Sequence, residues 1–333
     1  GEMFKYFIKR TATAVVLLFV VVFVTFGLFM AVPADPAKLS CGKTCSEETK
    51  ANIRHAMEID LPFTTQYTRF VKGLFVDRYY NKGSQQPRKC DAPCLGFSFR
   101  TDENVTDVLQ RRAPTTFSLA LGASLIWLIG GVLLGMVSAL RRGKTLDKIV
   151  QSFALFFSSL QIYLIGWVVS LYFVIKHHII PTPTYVSPFE SVSKWAAGML
   201  LPWLTLALIS MAGYARLTRA GMLETLSEDY VRTARSNGLT KRRVQFKHAL
   251  RGAITPIITI FGLDLGALLG GAVITESTFG LKGIGTLSLE AVYELDLPMI
   301  IGTVIFGAFF IIMANLIVDM LYAGLDPKVR ITK

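Results

Sequence analysis

The sequence predicts an all-α integral membrane protein with six transmembrane helices and an outward-facing soluble loop domain after the first of them. Three observations carry this reading. Of the 333 residues, 52% are hydrophobic, and the mean hydropathy is +0.48. Charged residues make up 17% of the chain, where a soluble domain carries roughly 25%. Six apolar stretches, at about 11–32, 116–140, 149–175, 196–214, 254–274 and 299–321, are each long enough to cross a hydrocarbon core about 30 Å thick at about 1.5 Å per helical residue. An ordinary cytosolic enzyme is excluded. The net charge of +12 does not indicate a nucleic-acid binder, because such a protein needs its Lys and Arg gathered on a folded soluble surface.

The first stretch is longer than the roughly 7–15 apolar residues of a signal peptide, and Ala31–Asp35 makes a poor cleavage site. It therefore reads as a retained helix. Lys and Arg in the short loops set the orientation. Lys5, Lys9 and Arg10 precede the first helix, Arg141, Arg142, Lys144 and Lys148 separate the second from the third, and nine basic residues from Arg216 to Arg251 separate the fourth from the fifth. The remaining short connections hold only Lys176, Lys194 and Lys282. Both termini are thus expected in the cytoplasm of a multi-pass cell-membrane protein. The expected organisation is a first helix within 1–32, an extracytoplasmic loop domain at 33–113, a five-helix core at 114–323 that includes a cytoplasmic loop at 216–252, and a tail at 324–333.

All four cysteines fall in the outward loop, as Cys41-x3-Cys45 and Cys90-x3-Cys94. Outside the membrane such pairs favour disulfides. A four-thiolate zinc site is the competing reading of the spacing, and no His accompanies the pairs. Three connectivities are open. Helices are expected over 47–57 and 65–75, and the turn-rich 83–93 segment reads as mobile or tethered by disulfides. The loop is either a solvated cap or a docking face for a soluble partner.

In the cytoplasmic loop, Leu217, Met222, Leu226, Tyr230 and Ala234 recur at near-helical spacing. They predict one amphipathic helix over 222–236, stopped by Asn237-Gly238. A second helix starts near Thr240 and runs toward Pro256. For an arbitrary basic loop, an interfacial hairpin held by anionic lipid would be the simpler account.

Here the residues point elsewhere. The run Glu228-Asp229-Tyr230-Val231-Arg232-Thr233-Ala234-Arg235, then Gly238-Leu239, and then His248 resembles the coupling loop of binding-protein-dependent ABC importers, in the variant used by peptide and nickel importers. The resemblance extends along nearly the whole chain, through Val32–Pro36, Asp60-Leu61-Pro62 with Gln66-Tyr67, Gly96-Phe97-Ser98 with Val108 and Arg112–Thr116, Thr275-Glu276 with Phe279 and Gly283-x-Gly285, and Asn315, Asp319, Tyr322, Asp326-Pro327 and Arg330. The chain is similar to the B-type permease subunit of a dipeptide or oligopeptide importer. That resemblance implies the type I ABC importer permease fold. It also implies these partners: a second homologous permease, two ATPase subunits that hold ATP and magnesium, an extracytoplasmic substrate-binding protein, a peptide substrate and membrane lipid. No cofactor on this chain and no nucleic acid is implied.

Two departures affect the outer half. Ser159-Leu160-Gln161-Ile162-Tyr163 stands where the family has Ser-x-Pro-x-Phe, so a proline kink is expected to be lost and an amide gained. The 82–94 stretch reads as an insertion. Gly42-Lys43-Thr44 and Gly143-Lys144-Thr145 end like phosphate loops but lack the first glycine, so ATP hydrolysis is expected on another chain. Candidate translocation-path residues are Gln161 and, on the fifth helix, Asp264 with Gly262, Gly266 and Gly270, whose spacing lines one helix face. An ion- or proton-coupled secondary transporter is the alternative, and so is an importer of nickel or another small solute. Asp264 is the one clear mid-membrane ionisable group that a coupled transporter would use.

Overall fold

A computed structural model describes residues 1–31, 35–41, 44–82 and 85–325. The family-like residues at 32–34 and 326–330 lie outside the described residues. Five helices are long and apolar enough to span a membrane, and a bent pair supplies a sixth.

The chain folds as two compact units. The first comprises Gly1–Thr116, Leu269–Val273 and Lys282–Leu316. Its helix α1 (Glu2–Met30) exposes Val16, Phe23 and Leu28 along most of its length, as a lipid-facing helix must. Three short helices follow: α2 (Pro36–Cys41), α3 (Glu47–Ala56) and α4 (Phe63–Gly73). The Ser46 hydroxyl caps α3 by accepting the Thr49 N–H at 3.1 Å. Val22 and Phe26 of α1, Phe70 of α4, and Ile301 and Ile305 form one buried cluster. Strand β1 (Arg78–Tyr80) pairs antiparallel with β2 (Arg88–Cys90), and β3 (Phe97–Ser98) with β4 (Glu103–Asn104). The turn-rich segment is therefore partly ordered as a hairpin.

Each cysteine pair closes on itself, Cys41 with Cys45 and Cys90 with Cys94. Cys90 and Cys94 are fully buried beside Tyr80 and Phe97, and burial pushes the Tyr80 phenol up to about 12. Asp77 accepts the Ala92 N–H at 2.9 Å and pairs with Lys89 at 3.2 Å, and these two contacts hold its carboxyl below the usual range. Arg54 does the same for Asp35 through a bidentate pair. In the same unit, the Ser98 hydroxyl donates to Asp296 at 2.5 Å, and Arg112 pairs with Glu290 at 2.9 Å.

The second unit comprises Phe117–Leu268, Ile274–Leu281 and the chain from Ile317. Helix α5 (Val105–Leu140) starts well before the expected 116 and carries Pro114 inside it. In this unit its glycines let α8 (Val192–Leu226) approach closely: a Cβ on Gly131 would lie 2.6 Å from Tyr214 Cβ, and one on Gly135 would lie 2.5 Å from the Ala215 carbonyl oxygen. The indole N–H of Trp203 donates to the Ser118 carbonyl across the same contact, at 2.8 Å.

The third span corrects the sequence reading. It is bent by 99° between α6 (Thr145–Ser159) and α7 (Ile162–Val169), which runs on as a π-helix over Ser170–Lys176. The break survives loss of the proline for a local reason. The Ser158 and Ser159 hydroxyls both donate to the Leu155 carbonyl, at 3.2 and 2.7 Å, and Leu160 and Gln161 are extended. Hydroxyls that compete for helix carbonyls weaken the ladder, and it ends at the extended Leu160 and Gln161.

After α8 come α9 (Asp229–Ser236), α10 (Lys241–Arg243), a π-helical stretch over Val244–Ala249 and α11 (Leu250–Leu269). The chain closes with α12 (Val273–Phe279), α13 (Ile284–Glu294) and α14 (Leu297–Leu325).

Candidate coupling elbow and membrane carboxylate

The elbow begins where α8 ends. The single helix expected over 222–236 is two helices. The Ser227 hydroxyl takes the Glu224 carbonyl at 2.6 Å, and Glu228 is extended at φ −69 and ψ 149, which restarts the chain as α9 at a new angle. Met222 consequently belongs to α8, fully buried against Met136, Ala139, Ala249 and Ala253.

The stop at Asn237-Gly238 is as expected and has a defined geometry. Gly238 takes φ +79, its N–H bonds the Arg235 carbonyl at 3.1 Å, and the Leu239 N–H bonds the Ala234 carbonyl at 3.3 Å. This is the Schellman pairing, in which a left-handed residue one place beyond the cap satisfies the last carbonyls. Leu239 packs back on the cluster of Val231, Ala234 and Val244, completing the hydrophobic contact of the motif. The Thr240 hydroxyl then caps the next helix by accepting the Arg243 N–H at 3.4 Å.

The elbow thus has a buried seam and a free face. Val231 and Val244 are 0% and 1% exposed, and Ala234 is buried beside them. Glu228, Asp229, Tyr230, Arg232, Thr233, Arg235 and Gly238 are exposed, and Leu239 and His248 are half-buried. Alternation of apolar and charged residues over one short helix produces both faces at once. The α9 side is tied to α11 where the Tyr230 hydroxyl reaches Gly252, at 3.2 Å from the position a Cβ would take. A motion imposed on the free face would therefore be carried into α8 and α11 by packed side chains.

The other candidates lie on the membrane helices. Gln161 is exposed at the N-cap of α7, where its carbonyl accepts the Ile165 N–H at 3.2 Å. Gly262 faces Val318 of α14, Gly266 is buried, and the Gly270 backbone lies 3.8 Å from where a Gly307 Cβ would stand. The glycine face thus seats α14. Asp264 lies off that face and is exposed, and it accepts the Tyr214 hydroxyl at 2.7 Å. No sequence pattern selects Tyr214, which sits 50 positions away on another helix. Behind it the indole of Trp127 stands 6.1 Å from its ring, and Phe261 stands 6.5 Å from Trp127.

Comparison with known proteins adds independent findings. Residues 131–331 match the family described as "Binding-protein-dependent transport system inner membrane component", and residues 3–120 match its N-terminal companion, "Binding-prot-dependent transport system membrane comp, N-term". The chain is 34% identical over 323 residues to a putative peptide transport system permease protein of Brucella abortus (strain 2308), covering 97% of this chain and 98% of that one. It is 34% identical to a probable D,D-dipeptide transport system permease protein of Escherichia coli (strain K12), covering 92% of each, and 30% identical to a dipeptide transport system permease protein of Bacillus subtilis (strain 168), covering 99% of each. Among solved structures, the methionine ABC transporter MetNI in inward-facing conformations matches with a TM-score of 0.53 at 13% identity, covering 66% of this chain and 97% of that one. This last likeness concerns the fold alone.

Proposed function

Because the chain belongs to the family of inner-membrane components of binding-protein-dependent transport systems, we propose that it forms one half of the translocation pathway of an ATP-driven importer of di- or oligopeptides. The observation that carries this reading is the elbow around Gly238, which has a buried seam continuous with two spanning helices and a free polar face. Such an element suits docking in a cleft of an ATPase subunit. The peptide substrate is supported by relatives known as peptide and dipeptide transport system permease proteins, which match over nearly their whole length.

In this reading two ATPase subunits bind ATP and magnesium beneath the membrane, and closure of their dimer pushes on Tyr230, Arg232, Thr233 and Arg235. The elbow is rigid enough to pass that push on, since Leu239, Ala234 and Val244 are packed together. A homologous permease supplies the other half of the passage. The segment at 33–113 faces outward and receives a substrate-binding protein, both termini are cytoplasmic, and the bent third span with Gln161 borders the passage. The seating of α14 on Gly262 and Gly270 turns Asp264 toward that passage. This chain does no covalent chemistry; it changes shape between outward- and inward-open forms.

The test is Gly238→Val in the reconstituted importer. The position has open space around it, so the cost is conformational, of order 1 kcal/mol or more for a β-branched residue at positive φ. Insertion in the membrane should be unchanged, while peptide uptake per ATP hydrolysed should fall. Near-normal coupled uptake would overturn the elbow's role, and uptake of nickel in place of peptide by the unaltered importer would overturn the substrate.

A further inference from the structure

An ionised carboxylate facing lipid at mid-depth costs roughly 2.5–3.5 kcal/mol on insertion scales. Asp264 stands thirteen residues beyond Arg251, about 20 Å along the helix axis at the helical rise, which is inside the hydrocarbon core. It is nonetheless exposed on the α11 surface. Its surroundings are also specific. One carboxylate oxygen, Oδ2, is engaged by the Tyr214 hydroxyl at 2.7 Å. Tyr214 is itself only 4% exposed and packed against Trp127, which is 1% exposed and whose indole N–H meets no acceptor at full hydrogen-bond geometry. The carboxylate is therefore held on one oxygen by a hydroxyl that is itself set against buried aromatic rings, while the residue as a whole stays exposed.

Three kinds of cation could meet this carboxylate. A divalent metal needs several oxygen ligands, and no group of three or more His, Cys, Asp or Glu that could hold one exists among the described residues. A guanidinium can share such a carboxylate, as Arg219 does on Asp147 beside other donors, but only some peptides carry one, whereas an unblocked peptide always carries an N-terminal ammonium. A primary ammonium needs a single strong acceptor and can add a second bond to the lone pair of a tyrosine hydroxyl that is donating elsewhere.

We propose that Asp264, oriented by the Tyr214 hydroxyl, is the acceptor for the free N-terminal ammonium of a peptide during its passage, so that this subunit itself reads one end of the substrate. Tyr214 acts as the positioning residue. The inference rests on the reading of the chain as a peptide importer's permease.

The experiment uses the complete importer in proteoliposomes, with labelled alanyl-phenylalanine and its N-acetyl form supplied at concentrations that saturate the binding protein. Asp264→Asn should lower uptake of the free-amino peptide by about tenfold or more, the loss expected for one charge-assisted hydrogen bond, and leave uptake of the acetylated peptide unchanged. Tyr214→Phe should cause the same selective loss to a smaller degree, and Asp264→Glu should restore part of it. Basal ATP hydrolysis and elution volume report whether each variant assembles. Equal losses for the two peptides, or no loss for either, would overturn the proposal while leaving the permease reading intact. Failure of the unaltered importer to take up either peptide would overturn both.

Discussion

The Asp147 carboxylate, 1% exposed, accepts both Nε and Nη2 of Arg219, at 2.9 and 3.1 Å, across 72 residues of sequence. The same carboxylate accepts the Gly143 N–H and the Gln151 amide, each at 2.9 Å, and the Ser138 hydroxyl. One side chain therefore ties the end of α5, the following turn and the start of α6 to α8, the helix that leads into the elbow.

Removing Arg219 leaves the buried Asp147 without its counter-charge, though Gly143, Gln151 and Ser138 still donate to it. Arg219→Met should destabilise the protein by roughly 3 kcal/mol, the lower end of the range because Arg219 is partly exposed. Thermal unfolding in detergent reads this directly, and a variant that melts with the parent would show the pair to be dispensable.

The close contact of α5 with α8 makes an opposite pair of expectations for two glycines. Gly131→Leu has no room beside Tyr214 and should cost about 1–3 kcal/mol through overpacking. Gly213→Ala meets nothing within 4 Å, lies inside α8 and should be neutral or stabilising by up to about 1 kcal/mol. The same melting measurement separates them.

The disulfide pairing is open to direct mapping. Trypsin without reduction should release residues 90–100 as one fragment carrying its own internal bridge, and residues 39–43 joined to 44–50. Any fragment that joins the two pairs would contradict the within-pair connectivity. Because each ring is short, Cys90→Ser should cost the segment only about 2 kcal/mol on the chain-entropy account, and a much larger loss would mean that the buried sulfurs matter chiefly through packing.

The Asp77 carboxyl is held below its ordinary value by the Ala92 N–H and by Lys89. A depressed folded-state value means that the stabilisation is fully present above the unfolded value, near about 4, and is lost as pH falls through the lower folded value. Asp77→Asn should therefore weaken protection of the Ala92 amide against hydrogen exchange near neutrality, relative to the parent at the same pH. The two proteins should converge on acidification below the usual carboxylate range. A difference that persists undiminished in acid would assign the effect to something other than ionisation.

What the sequence determined by itself is whatever depends on neighbours along the chain. Apolar runs of sufficient length gave five spans and the two halves of a sixth, since the hydrocarbon core demands only length and composition. Asn237-Gly238 marked the elbow because a left-handed turn favours glycine whatever surrounds it. The paired cysteines were legible in the same way, though not their connectivity. The sharp bend at Leu160-Gln161 and the break at Ser227-Glu228 are local as well, set beside serine hydroxyls that bond helix carbonyls three or four residues back, but hydrophobic spacing does not register that competition. Tertiary structure decided the rest. The partners of Asp147 and Asp264 come from other helices, 72 and 50 residues distant. Such pairs exist only once helices pack, because packing is what brings side chains this far apart in sequence within hydrogen-bond reach, and a buried charge such as Asp147 stays ionised only with partners of that kind.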